Sequence, residues 1–385
     1  MDRQHLSLRC LKVFVLSLFA MAVVTCAAAQ PRDAELELDS QDLFIGGEGG
    51  YHTYRIPAMV RTPDGVLHAF AEGRKKSHSD RGDIDIVVRR STNGGVSWSP
   101  KEVLLDDGAN TMGQPTPILD RRTGTLHLLF CRNNREMFAT HFDRETGLLA
   151  EPIDITSVAK SLDVPFKITR MGAGPTAGLQ TASGRLLAPV WVNGTIGVAN
   201  EYGAGVVFSD DRGTTWQVGG APHVPPAIAG INESTVAPLP KGDLYMTQRT
   251  NGGEPHRAMS ISRDDGATWT DSQLVPDIDS DMTPIKAGLA AIEAKGDCDL
   301  NGLVLAAPEG PGRKNLALWY SPDGVKWKRL TSINNTHAGY SELAQLPSGV
   351  VGLLYEQGDK NYHQRLTFTR LAINSKSITS SQPQH

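Results

Sequence analysis

The sequence predicts an all-β chain arranged as a β-propeller of about six blades. Three observations predict it: a repeated turn motif, the spacing of its copies, and the short strand-like runs between them. The segment SDDRGTTW at 209–216 returns as SRDDGATW at 262–269. Weaker copies stand at 91–98 (STNGGVSW) and, one residue shorter, at 321–327 (SPDGVKW). The unit has the chemistry of a tight hairpin turn: Asp or Asn bonds the backbone N–H groups just ahead, and Gly supplies a left-handed position. Trp then packs the turn onto its sheet. Fixed-period self-similarity is the mark of a repeat architecture.

The copies begin at residues 91, 209, 262 and 321, so the gaps are 118, 53 and 59 residues. The first gap is about twice the others, which places one repeat without a recognisable box between Ser91 and Ser209. A unit of roughly 55–60 residues is a little longer than a kelch-type blade of ~50. Residues 38–373 then hold about six units, within the usual four to eight.

The strands follow in order: DIDIVVRR (83–90), TLHLLFC (125–131), RLLAPVWV (185–192), GVVFS (205–209) and GVVGLLYE (349–356). Each is rich in β-branched or aromatic residues and bounded by Gly, Pro, Asn or Asp. No long amphipathic helix interrupts them; Val158–Leu162 and Gly288–Ala294 read as short helical turns. The 39 Gly and 23 Pro suit a turn-rich fold without the excess of a disordered chain. Residues 30–375 are expected to form one propeller domain, and 376–385 a disordered tail.

Residues 1–29 read as an export signal. Arg3, Arg9 and Lys12 precede the apolar run Val13–Val24, and Ala27–Ala29 offers a cleavage site. The run is too short to span a bilayer comfortably, and Cys26 after Thr is a poor lipoprotein acceptor. A secreted or periplasmic location is therefore expected, with no transmembrane span in the mature chain. Removing the leader takes the net charge from −4 to about −6, which gives no footprint for nucleic acid. Cys131 and Cys298 remain, and Cys131 reads as a buried free thiol. The His residues form no ligand cluster, so neither a metal nor another cofactor is implied. There is no nucleophile elbow and no Walker loop. Asn193, Asn232 and Asn334 match the glycosylation sequon.

A more specific pattern runs along the chain. YRIP (54–57) is followed by AFAEGR (69–74), Asp80 and IVVRRS (86–91). NESTVAPL (232–239), TQRTN (247–251), GRKNLALWYS (312–321) and AGYSELAQL (338–346) come after. In this order the segments resemble the sialidase (neuraminidase) family over nearly the whole mature chain. The resemblance implies a six-bladed propeller with its site on the axis. It also implies an Arg triad of Arg55, Arg249 and Arg313, braced at Arg55 by Glu356. Arg74 is implied near the C4 side of the sugar, with Glu72 beside it. Gln114 stands where many relatives have Asn. Trp191 has two readings, a wall against the acyl group or a buried strand residue.

The chemistry of these residue types is coherent. A sialic acid carries a carboxylate on the carbon that bears the glycosidic bond, and a planar guanidinium meets a carboxylate bidentately. Three cations in one pocket repel, so carboxylates are expected around them. Asp80, in the polar loop KKSHSDRG, is the candidate general acid; Asp83 and Asp85 lie close by, and alternation places Asp85 on a solvent-facing strand position. Tyr340 and Glu233 are the candidate nucleophile and its base. A carboxylate nucleophile would meet the substrate's own negative charge, whereas a neutral phenol avoids this and a neighbouring Glu can take its proton. Sialidases with a Tyr nucleophile are a known exception to the two-carboxylate rule of glycosidases.

Together these features predict an exo-α-sialidase acting with retention on sialylated oligosaccharides, glycoproteins or glycolipids. The alternatives are a trans-sialidase of the same family, a hydrolase of another sugar, or a non-catalytic carbohydrate-binding propeller. Linkage preference and oligomeric state are not legible in the sequence.

Overall fold

The computed structural model describes residues 39–375, apart from 198, 253–256, 279–283 and 297. The expected leader, Cys26 and the tail at 376–385 lie outside the described residues. Strand β1 (Asp39–Ile45) precedes a first blade of β2 (Thr53–Arg61), β3 (Leu67–Arg74), β4 (Ile84–Ser91) and β5 (Glu102–Leu105). The second blade holds β6 (Met112–Asp120), β7 (Thr125–Arg132), β8 (Glu136–His141) and β9 (Ile153–Asp154). A short helix, α1 (Thr156–Lys160), leads into the third. That blade holds β10 (Lys167–Ala173), β11 (Leu179–Gln180), β12 (Leu186–Ile196), β13 (Ala199–Ser209) and β14 (Gln217–Val218). The fourth holds β15 (Ile231–Pro238), β16 (Leu244–Thr250), β17 (Arg257–Ser262) and β18 (Gln273–Leu274). The fifth holds β19 (Gly288–Ile292), β20 (Gly302–Pro308), β21 (Leu316–Ser321) and β22 (Lys328–Ser332). The sixth holds β23 (His337–Gln345), β24 (Val350–Gly358) and β25 (Arg365–Ala372), and β1 completes it by pairing antiparallel with β25. The described residues thus form a six-bladed propeller whose last sheet joins both ends of the ring, so ring closure uses backbone hydrogen bonds.

The turn boxes sit at one place, between the third and fourth strands of blades one, three, four and five. In the third blade Asp211 Oδ1 accepts from Thr215 N at 2.8 Å, and Ser209 Oγ accepts from Gly213 N at 2.7 Å. Arg212 and Gly213 there are both left-handed, at φ 61° and 82°. The box-free repeat expected between Ser91 and Ser209 is the second blade, whose corresponding turn keeps an Asp143–Thr146 hydrogen bond but has neither Ser nor Trp. The Trp residues do more than hold their own sheets. Trp98 meets Phe368 of the sixth blade edge-on at 5.0 Å, and Trp327 meets Tyr245 of the fourth at 5.9 Å. Each box therefore ties its blade to the one before it. Burying such a ring stabilises the junction by roughly 1.5–3 kcal/mol.

The apolar core lies between blades. Ala58, Phe70 and Val88 of the first meet Leu128 and Phe130 of the second, and Val304, Leu316 and Leu318 of the fifth meet Leu343 and Leu353 of the sixth. A buried ion pair adds a polar pin: Lys286 Nζ donates to Glu342 and, at 2.6 Å, to Ser341 O. Glu342 Oε1 also accepts from Thr176 Oγ1 at 3.1 Å and Ala177 N at 3.2 Å, reaching the third blade.

Two expectations need correction. Residues 288–292 form strand β19, because neighbouring blades bury them and backbone pairing with β20 overrides a locally ambiguous run. Asp85 is 1% exposed rather than solvent-facing. It accepts from the Tyr51 hydroxyl and, with Asp83 and Asp106, surrounds Lys75 Nζ at 2.9–3.1 Å. Those partners compensate a charge that alternation alone would send outward. Cys131 and Cys298 are both buried and free. Asn193 and Asn232 are buried as well, which removes them as sugar acceptors in the folded chain.

Candidate active site

The site is built from one backbone device used four times. The first strands of blades one, two, four and six each carry a β-bulge that sets two residues against one on the next strand. Ile56–Pro57 oppose Ala71, Gln114–Pro115 oppose Phe130, Asn232–Glu233 oppose Arg249, and Gly339–Tyr340 oppose Glu356. A bulge bends its strand and re-aims a side chain. Two of these four carry a left-handed residue with a side chain, Ile56 at φ 61° and Gln114 at φ 60°. A β-branched residue there is strained by about 1–3 kcal/mol, so the surroundings must hold it. They do so through buried carboxylates. Glu356 Oε1 accepts from Ile56 N at 3.0 Å, its Oε2 from Tyr340 N at 3.1 Å, and Glu72 Oε1 from Gln114 N at 3.0 Å.

These carboxylates also fix the cations. Glu356, fully buried, grips Arg55 with two hydrogen bonds at 3.1 and 3.2 Å. Arg249 Nη1 donates to Glu233 at 2.6 Å and to the Tyr340 hydroxyl at 2.8 Å, while that hydroxyl donates to Glu233. Arg313, in the loop between β20 and β21, has no hydrogen-bond or ion-pair acceptor among the described residues. Its guanidinium lies over two rings, 5.5 Å from Tyr340 and 4.5 Å from Tyr362. Arg55 lies 5.3 and 5.2 Å from the same two rings. Three guanidinium groups therefore converge on one phenol. Burial pushes the Tyr340 hydroxyl well above its ordinary value, Glu233 adds to this, and the three arginines oppose it.

Asp80 stands on the exposed loop between β3 and β4, its side chain 73% exposed. Its Oδ1 meets Arg74 at 2.7 Å and Arg55 at 3.2 Å. Desolvation raises its pKa, but Arg74 and then Arg55 outweigh it and hold the carboxyl below the ordinary carboxylate range. Arg74 is 1% exposed and is committed to Glu72, Asp80 and the His78 carbonyl. His78 in turn stacks on His363 at 4.9 Å, which ties the Asp80 loop to the segment bearing Tyr362.

A cavity of about 290 Å³ opens at these residues, lined by Arg55, Asp80, Gln114, Glu233, Arg249, Arg313 and Tyr340 among others. Arg74, Glu72 and Glu356 do not reach its lining; they lie behind it, holding side chains that do. Trp191, a buried residue of β12, lines it too, and its Nε1 donates to Gln114 Oε1 at 3.2 Å. Sequence reasoning missed Tyr362, Arg170, Tyr202 and Asn232 on the lining. Tyr362 lies in DKNYHQ, a loop with no repeat or motif, and only its contact with two guanidinium groups singles it out.

A model of the BNR repeat-like domain matches residues 65–353. The sialidase of Micromonospora viridifaciens is 28% identical over 377 residues, covering 88% of this chain and 57% of its own length. The chain belongs to the sialidase family with BNR repeats. A sialidase of Bacteroides fragilis is 26% identical, covering 80% of this chain and 61% of its own. The chain thus spans about three-fifths of the length of these two relatives. A Hadza microbial sialidase of known structure superposes with a TM-score of 0.74 at 26% identity, over 88% of this chain and 69% of that one. The sialidase-family segments read from the sequence, from YRIP to AGYSELAQL, carry three of the four bulges and Arg55, Arg249 and Arg313.

Proposed function

We propose that the chain is an exo-α-sialidase that releases terminal α-linked sialic acids from oligosaccharides, glycoproteins or glycolipids with retention. One observation carries this: three guanidinium groups, one of them without an acceptor among the described residues, surround a phenol hydrogen-bonded to a carboxylate. Arg313, Arg249 and Arg55 bind the sugar's carboxylate. The bound carboxylate competes with Asp80 for Arg55, so Asp80 keeps only its contact with Arg74 and its proton affinity rises. Tyr340 Oη then attacks the anomeric carbon, passing its proton to Glu233. The glycosidic C–O bond breaks as Asp80 gives its proton to the leaving oxygen. In the second half, water attacks the anomeric carbon and gives a proton to Asp80. The Tyr340–carbon bond breaks, and the phenolate recovers its proton from Glu233. Arg249, donating to both Tyr340 and Glu233, stabilises the developing phenolate.

The test is release of 4-methylumbelliferone from its α-sialoside, beside the matched galactoside, glucuronide and arabinoside. Cleavage of the sialoside alone is expected, and it should disappear in Tyr340→Phe. Equal cleavage of the glucuronide would refute the assignment. Residues 1–29 support a further reading, export to a secreted or periplasmic location, which fractionation of expressing cells would test.

A further inference from the structure

Beside the sugar pocket lies a second cleft of about 720 Å³, within the range that holds a ligand of drug size. The two share Asp80, Arg81, Asn134 and Arg170. Asp80 thus stands at the junction. On the reading above, the leaving oxygen sits against Asp80, so a leaving group can extend from there into this cleft. The cleft is basic. Arg81, Arg135, Lys160 and Arg170 line it, and none has an ion-pair partner within 4 Å among the described residues. Its two carboxylates are already committed: Glu136 meets Arg132 at 2.7 and 3.0 Å, and Asp80 meets Arg74 and Arg55. The wall is also preformed. The turn between β7 and β8 carries two consecutive left-handed residues, Asn133 at φ 55° and Asn134 at φ 53°. Asn133 Oδ1 accepts from Thr111 N at 2.9 Å, its Nδ2 donates to Asn110 at 2.8 Å, and Asn134 O accepts from Met171 N at 3.0 Å.

We propose that this cleft is a subsite for a leaving group that is itself anionic, a sugar bearing a carboxylate or a sulfate ester. A neutral sugar has no use for four cations that no carboxylate pairs within 4 Å among the described residues. A second sialic acid, or a sulfated sugar next to the terminal one, supplies the missing charge. The proposal rests on the glycosidase reading and specifies its substrate class.

The test compares three substrates: sialyllactose, an α2,8-linked disialyl-lactose, and a sialyllactosamine sulfated on its second or third sugar. The full chain and an R135A/K160A variant are assayed, with melting temperatures to verify folding. Both side chains are exposed and line only the outer cleft. At about 20 mM salt the variant should lose about fivefold in kcat/KM on charged leaving groups and stay within about twofold on sialyllactose. The wild-type advantage on charged substrates should shrink toward about 0.5 M salt. Loss on the disialyl substrate alone assigns a carboxylate, loss on the sulfated one alone a sulfate ester. An equal effect on all three, no effect on any, or cleavage of sialyllactose with neither charged substrate overturns the proposal. No cleavage of any of them overturns the glycosidase reading itself.

Discussion

Glu356→Gln is the sharpest test of how the site is held. The carboxylate is fully buried and accepts four hydrogen bonds, two on each oxygen. Glutamine keeps the shape but turns one oxygen into a donor. With Oε1 retained, Arg55 Nη2 and Tyr340 N lose their acceptor; with Oε2 retained, Arg55 Nε and Ile56 N lose theirs. Either orientation therefore breaks one charge-assisted bond, worth about 1.5–3 kcal/mol, and leaves a buried amide unsatisfied at about 1–3 kcal/mol. The sum, roughly 2.5–6 kcal/mol, brackets the ~3–5 kcal/mol cost of breaking a buried ion pair. A drop in melting temperature of roughly 5–15 °C is expected. Activity should fall further than stability accounts for, because both Arg55 and the Tyr340 bulge lose their anchor: about 100-fold in kcat/KM on folded enzyme. Glu342→Gln is the control, a buried carboxylate two residues past Tyr340 that faces Lys286 and does not line the cavity. It should lower the melting temperature comparably and cost less than tenfold in kcat/KM. Glu356→Gln with a melting temperature within about 2 °C of wild type and activity within threefold would refute the reasoning.

Arg313→Lys should raise KM strongly and recover little of the activity lost in Arg313→Ala, since an ammonium does not reproduce a two-pronged guanidinium contact; steady-state kinetics on the aryl sialoside decide it. Asp80→Ala should cripple sialyllactose while sparing an aryl sialoside, whose phenol leaves unprotonated; equal losses would move the acid role elsewhere. The pH profiles should split. In the free enzyme Asp80 is held below the ordinary carboxylate range, so its acid form and kcat/KM fall away early as pH rises. In the complex the substrate carboxylate draws Arg55 from Asp80, so the corresponding limb of kcat should lie at higher pH. Coincident limbs would contradict that competition. By the same sign, the Asp80 ion pairs help the fold above the unfolded carboxylate pKa, and their contribution fades as pH falls through the lowered folded value; thermal melts from pH 7 to pH 3 read it.

Much of the fold was legible because its repeat is local. Each box encodes a turn within eight residues, and the spacing of 53 and 59 residues carries the blade length. What the boxes do between blades was not legible. That Trp327 serves the junction with the fourth blade depends on Tyr245, 82 positions away, and no local pattern states it. The same limit explains Asp85. Alternation along 83–90 is a rule for sheets with one wet face, and it fails where Lys75 and Tyr51 supply partners for a buried charge. At the site, the motif-borne residues Arg55, Glu233, Arg249, Arg313 and Tyr340 meet at one cavity as the ordered segments implied. Tyr362 gave no signal, because a loop that reaches a site from outside the repeat has no period to reveal it, and Arg170 lies on β10, in a blade segment without a motif.

The bulges explain why the motifs look as they do. An innermost strand that kept regular pairing would point alternate residues into its neighbours and could not offer two successive positions to the axis. Setting two residues against one breaks that alternation, but it strands an amide N–H in a buried place. Two of the four bulges remove part of the problem with proline, Pro57 and Pro115, which has no N–H to satisfy. The amides at Ile56, Gln114 and Tyr340 are given to Glu356 and Glu72, which also pair with the guanidinium groups of Arg55 and Arg74, and the Glu233 amide donates to Asn232 Oδ1. Each of these carboxylates thus serves the backbone and a cation at once. Neither function can be mutated alone, and so the strain of the bulges, the placement of Arg55 and the position of the Tyr340 hydroxyl are set by the same few atoms.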